Sequence, residues 1–208
     1  MTASSALATP VAAIPTDSPR ARSPFPSTAA LALEQMPMHE LEKVFVRGVT
    51  PDIDSLVGWE FRGINHLLFR LPITKLFGIK KFVKGFYRDD ARVMGYNIAV
   101  ENNVLDGRWH LKPSDDSPRR FGFYEVGPVD ATSRDNAYLH ATLLDYGKGG
   151  NPRMDPTSGL RDYLVQVDPR NPDLFLGKAY FALGPVRIRT NFFILERHRV
   201  GLTNYVRR

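Results

Sequence analysis

The stretch KKFVKGFYRDDARVMGYNIAVE, residues 80–101, decides the fold. It reads as two strand-like runs, 80–89 and 91–101, and each carries a glycine in its interior, Gly85 and Gly95, with aromatics directly after it. Glycine weakens a strand because it leaves nothing to pack, so its repetition needs a cause. The pattern recurs at Gly122, followed by Phe123 and Tyr124, and at Gly177, followed three residues on by Tyr180 in GKAY. A sheet that closes on itself needs corners of high curvature, where glycine relieves strain and neighbouring aromatics cover the exposed backbone. The repetition therefore predicts a closed barrel.

Outward from this pair lie further strand-like runs at 57–63, 107–111, 119–127, 137–147, 160–168, 173–184 and 186–199. Turn chemistry separates them: LDG at 105–107, PSDDSP at 113–118, GKGGNPRMDPTSG at 147–159 and DPRNPD at 168–173. These connections are too short for crossover helices, which excludes a parallel α/β sheet and leaves antiparallel hairpins. The expected fold is mainly β, a single antiparallel up-and-down β-barrel of roughly nine or ten strands. MHELEKVFVR places Leu41, Val44 and Phe45 at helical spacing before Gly48 and Pro51, predicting a short N-terminal helix. Leu67, Leu68, Leu71, Leu76 and Phe77, interrupted at Pro72, predict a helical cap after the first strand, over residues 65–78.

The chain has 208 residues, 43% hydrophobic and 24% charged, enough to bury the core of one domain. No run reaches the roughly 18 apolar residues of a membrane-spanning helix. Cysteine is absent, which excludes disulfides, thiolate metal sites and thiol catalysis. The net charge of +6 favours anionic partners, but the basic residues are scattered among acids, and nucleic acid is not an expected partner. Residues 1–37 are rich in Ala, Ser, Thr and Pro and predict a disordered tail; the barrel domain is expected over 38–208. The tail lacks the basic start and continuous apolar stretch of a secretory signal, so the cytoplasm is the expected compartment. Its hydroxyl-rich composition fits a transit peptide loosely, against its proline density and scarcity of arginine; a translational start at Met36 or Met38 is a further reading.

In SLVGWEFRGINH, residues 55–66, Gly58 stands against Trp59 at the first strand, a bend beside a large ring. With the preceding helix, the antiparallel strands and an Arg near the end of the last strand, this resembles the calycin superfamily, the lipocalins, fatty-acid-binding proteins and their relatives. The resemblance implies a barrel that holds a small hydrophobic ligand. It also implies closure of the barrel base by Gly58 and Trp59 against Arg197 or Arg199. The chain departs from the lipocalin Gly-x-Trp, since its Gly and Trp are adjacent. It places Arg189, Thr190 and Asn191 where fatty-acid-binding proteins carry Arg-x-Tyr.

No nucleophile elbow, zinc-protease helix, phosphate loop or dinucleotide fingerprint is present, which weighs against an enzyme without deciding the matter. The five histidines lie on separate segments without ligand spacing, so no metal site is expected; a haem-binding barrel would use His140. If Arg189 and Asn191 face inward, the guanidinium needs an anion, and a carboxylate-headed lipid supplies one. The expected function is binding of a small hydrophobic or amphipathic ligand, fatty-acid-like, by Arg189, Asn191, Tyr180, Tyr124, Tyr96 and Phe193. Lys75, Lys80, Lys81 and Lys84 suit a portal in transient contact with an anionic membrane. Two alternatives stand beside this: an isomerase or cyclase acting on a bound lipid or terpenoid through tyrosines, Glu101, Glu125 or His140, and a protein-interaction module with a filled core. The chain is expected as a monomer or a homodimer.

Overall fold

The computed structural model describes residues 23–67, 79–152 and 154–204. Among these residues, two helices, α1 (Thr28–Gln35) and α2 (Met38–Arg47), precede eight strands. These are β1 (Trp59–Leu67), β2 (Lys81–Asp89), β3 (Arg92–Ala99), β4 (Arg120–Pro128), β5 (Thr142–Asp145), β6 (Leu160–Asp168), β7 (Asn171–Leu183) and β8 (Val186–Val200). Each strand pairs antiparallel with the next and β8 returns to β1, closing the barrel.

The glycines lie where strands meet aromatic rings. Gly85 is paired with Tyr96, Gly95 with Tyr124 and Gly177 with Phe193. A Cβ on Gly95 would sit 2.1 Å from the Tyr124 ring, and one on Gly177 would sit 2.0 Å from Phe193. The covering aromatic thus comes from the neighbouring strand, across the ladder, rather than from the residues that follow the glycine in sequence.

Eight strands form where the patterning predicts nine or ten. The run 107–111 contributes one bridge, between Val100 and Leu111, because Trp109 anchors it instead: the indole N–H donates to the Phe82 carbonyl at 3.1 Å. The run 137–147 shortens to Thr142–Asp145, as residues before it wrap over α2. The expected cap begins as strand, since Asn65, His66 and Leu67 complete β1; residues 68–78 lie outside the described residues.

Helix α2 follows its pattern, with Leu41 and Phe45 one turn apart and both fully buried, and Gly48 at its end. Helix α1 lies within the 1–37 segment whose composition predicts disorder. The proline-rich composition ends at Pro26, and the next residues can therefore coil. The Ser27 side chain accepts from the Ala30 N–H as N-cap, and Ala30 and Leu33 bury against the barrel. Glu196 of β8 accepts from the Ser27 N–H and pairs with Arg62 of β1 at 2.9 Å, tying the helix to the barrel wall.

The strands bury both faces. Outside, Leu33, Leu41 and Phe45 pack with Tyr163, Val165, Leu176, Phe192 and Ile194. Inside, Phe61 meets Phe86 and Phe175 edge to face at 5.4 and 5.5 Å, amid Leu56, Val126, Leu164 and Leu195. That filling occupies the end of the barrel where β1 begins. Among the described residues, the other end is open.

Candidate functional site

At the open end, where β1 finishes and β2 starts, the interior holds a cavity of about 280 Å³. Its walls are apolar, with Phe82, Phe121, Leu160, Ala179 and Phe193; its rim carries Asn65, Thr157, Thr190 and Asn191. Its floor is charged. Lys84 projects inward from β2 and Asp162 from β6, half a turn of the barrel away, and Nζ to Oδ2 measures 3.1 Å with both side chains almost wholly buried.

Local patterning places both groups. Lys84 alternates with Phe82 and Phe86 on the inward face of β2, and Asp162 alternates with Leu160 and Leu164 on β6. Asn97 of β3 and Tyr146, just past β5, complete the floor. Lys84 donates to Asp162, to Asn97 Oδ1 at 3.1 Å and to the Tyr146 hydroxyl. Tyr146 in turn donates to Asp162 Oδ2 at 3.2 Å. Asn97 Nδ2 donates to the Gly122 carbonyl at 2.8 Å and to Tyr146 at 3.2 Å. Gly122 offers that carbonyl from a backbone at φ +54°, which few other residues adopt. Among the described residues, Asp162 Oδ1 is buried without a hydrogen-bond partner.

Burial sets the proton affinities here. Loss of water pushes the Lys84 ammonium below its ordinary value, opposed by the Asp162 charge. The Tyr146 hydroxyl is pushed well above its ordinary value, first by burial and then by the same carboxylate. The Lys84 ammonium also faces aromatic rings, with Tyr124 at 4.7 Å and Phe193 at 5.2 Å.

Of the ligand-binding residues expected from sequence, Asn191 and Phe193 line the cavity. Tyr124 is interior, below the floor, and donates to the Gly85 carbonyl at 3.1 Å. Arg189, Tyr180 and Tyr96 stand outside the barrel. Thr190 is an extra residue between the pairs Ala179 with Asn191 and Tyr180 with Arg189, and this bulge reverses the alternation. Arg189 consequently meets Glu42 of α2 at 3.3 Å. The Tyr180 hydroxyl meets Tyr138 at 2.7 Å, and Tyr96 donates to Glu60 at 2.8 Å. Among the lysines read as a portal, Lys84 is the floor itself and Lys81 is buried, its Nζ 3.8 Å from the Trp109 ring centre. Lys80 pairs with Glu34, and Lys75 lies outside the described residues. His140 sits on a loop against the Phe45 carbonyl, 3.2 Å away, and Glu101 and Glu125 do not line the cavity.

At the closed end, the Arg197 guanidinium lies 4.9 Å from the Trp59 ring centre and 5.1 Å from that of Phe61. It donates to Asp173 at 2.8 Å and to the Ser55 carbonyl at 3.0 Å. Gly58 turns the chain into β1 at φ +80°, donating to the Phe86 carbonyl at 2.9 Å. Arg199 instead pairs with Glu60 at 2.7 Å.

Sequence reasoning passed over Asp162, Asn97 and Tyr146 and placed Lys84 on a rim. The readable signal was a charge on the apolar face of each of two strands, positive in one and negative in the other.

The molecule is thus an eight-stranded antiparallel β-barrel with a plugged base and an internal cavity over a buried ion pair. Comparison with protein-family models, curated proteins and solved structures finds no match.

Proposed function

We infer that the protein binds a small hydrophobic or amphipathic molecule inside the barrel. The observation that carries this is the cavity: about 280 Å³ of apolar-walled space above a buried polar floor, at the opposite end of the barrel from its aromatic filling. It corresponds to about nine water volumes at ~30 Å³ each, so the occupant is small. The likeness to the calycin superfamily in barrel architecture and in the Trp59 and Arg197 contact supports the same reading.

Native mass spectrometry of protein purified without detergent tests it. The expected result is an excess mass released on denaturation from the wild type and absent from Ala179→Phe, which fills the cavity. An adduct equally present in both proteins, or in neither after incubation with a panel of small lipids and terpenoids, would sink the reading.

A second reading, an isomerase or cyclase on the same barrel, draws on the lowered proton affinity of Lys84 beside the cavity. Its acid and base would be Lys84, Tyr146 and Asp162, the titratable groups that line the space. Deuterium uptake from D2O into a recovered β,γ-unsaturated ketone, lost in Lys84→Met, is its signature; unlabelled ketone removes it.

A further inference from the structure

The stretch KAYFALGPVRIRTN, residues 178–191, holds three cations and no acid, and it forms a hairpin that outgrows the barrel. Among the described residues, β7 last meets β6 at Phe181 against Leu160, and β8 last meets β1 at Asn191 against Leu67. Beyond those rungs the two strands continue on each other alone, through Ala182 with Arg187 and Leu183 with Val186, to the turn at Gly184 and Pro185. The Leu183 rung lies two residues past Phe181, about 7 Å at ~3.4 Å per residue.

The two faces of this projection differ. Ala179 lines the cavity, and alternation carries the same face through Phe181 to Leu183. Pairing across the ladder adds Ile188 opposite Phe181 and Val186 opposite Leu183. The apolar wall of the cavity thus runs on past the rim as a shelf. Leu183, Val186 and Ile188 on it are 61%, 54% and 48% exposed. Ile79, which also lines the cavity, adds an exposed apolar side chain at the same mouth. The opposite face carries Arg187, paired with Asp135, and Arg189, paired with Glu42.

Single exposed aliphatic residues are ordinary, but three on one face of a projecting tip, continuous with an interior wall, call for an occupant. Area and shape choose it. Three half-exposed side chains offer a few hundred Å², whereas a stable dimer buries ~800 Å² on each partner. A tip with a two-residue turn at its summit is narrow enough to enter a fluid interface. Its charges suit phospholipid head groups: Arg187 and Arg189 flank the apolar face, and the acids that meet them, Asp135 and Glu42, do not outnumber the cations.

We propose that the β7–β8 hairpin is a membrane anchor, and that Leu183, Val186 and Ile188 enter the interface of a phospholipid bilayer and set the mouth of the cavity against it. The docking stands on the hairpin and does not depend on what the cavity holds.

The test is co-sedimentation of the full-length protein with vesicles of phosphatidylcholine and phosphatidylglycerol. The wild type is expected to bind, and to stay bound at high salt, where attraction by the net charge of +6 alone is screened. Leu183→Ser with Val186→Ser leaves the charge unchanged and alters only exposed positions. It is expected to lower partition roughly ten-fold or more, the scale of returning one aliphatic side chain to water. Val200→Ser, at an exposed valine of the plugged end, is expected to bind as the wild type does. Because the chain has no cysteine, Leu183→Cys offers a single labelling position. A polarity-sensitive dye there should shift to the blue with vesicles, and the same dye on Val200→Cys should not. Absence of wild-type binding, binding that high salt abolishes, or equal binding by the double serine variant overturns the proposal. A wild-type dimer that the double variant splits, with no vesicle binding, gives the shelf to a second copy and overturns it as well. The cavity reading fails separately: protein that docks through the tip but carries no adduct keeps the anchor and loses the ligand, and protein with an adduct that ignores vesicles does the reverse.

Discussion

Lys84→Met puts the floor of the barrel to its sharpest test. Lys84 and Asp162 have 3% and 4% of their side chains exposed, so both charges are largely withdrawn from bulk water. Removing the ammonium leaves a buried carboxylate whose remaining partner is the Tyr146 hydroxyl, a loss of about 3–5 kcal/mol for breaking such a pair. At ~2–4 °C per kcal/mol for a chain of this length, the melting temperature falls by roughly 6–20 °C. Asp162→Leu costs a similar amount, because it leaves the ammonium unpaired. Lys84→Met with Asp162→Leu removes both charges and leaves neutral orphans, Asn97 Oδ1 and the Tyr146 hydroxyl, at about 1–3 kcal/mol each. The double variant is expected to lose about 2–6 kcal/mol against about 6–10 for the sum of the singles, a coupling of about 4 kcal/mol at the middle of those ranges. Urea unfolding followed by circular dichroism gives all four stabilities by linear extrapolation. A loss below ~1 kcal/mol for Lys84→Met, or single costs that simply add in the double variant, would refute the account of the floor.

Three further outcomes are expected. Gly95→Ala drives a methyl into the Tyr124 ring and costs about 1–3 kcal/mol in thermal unfolding, less in a Tyr124→Leu background; equal costs in both backgrounds would disprove the close approach. Arg197→Met loses its bonds to Asp173 and the Ser55 carbonyl, about 1.5–3 kcal/mol per charged hydrogen bond at most. It also alters Trp59 emission, read in a Trp109→Phe background where Trp59 is the sole indole; unchanged emission would place the cation elsewhere. His198 has its proton affinity lowered to about 4 by burial first and then by Arg62 and Arg199. The unfolded histidine protonates near its ordinary value of 6.5, so falling pH favours the unfolded chain throughout that window. At ~1.4 kcal/mol per pH unit, His198→Gln should gain about 3 kcal/mol on the wild type between pH 7 and 4, and parallel stability curves would contradict this.

The strands and the barrel were legible because they are written in local pattern. Gly85, Gly95 and Gly177 inside strand-like runs betray close aromatic contact, short turns force antiparallel pairing, and Leu41 with Phe45 marks a helix. The strand count came out high because GRWHL has the alternation of a strand, while the partner that takes Trp109, the Phe82 carbonyl, is remote in sequence. The site was less legible. One bulged residue, Thr190, moves Arg189 from the inside to the helix-covered outside, and single-sequence periodicity carries no mark of a bulge. Asn191 and Phe193, on the regular side of that bulge, kept the expected face.

The sequence by itself determined that this chain closes a β-barrel with a helix ahead of it, since side-chain alternation, glycine placement and turn chemistry act over a few residues. Only the tertiary structure decided that Lys84 and Asp162 are partners. They lie 78 positions apart on opposite walls of the barrel, and the pairing exists because closure of the sheet buries the two charges side by side, where each offsets the other's desolvation.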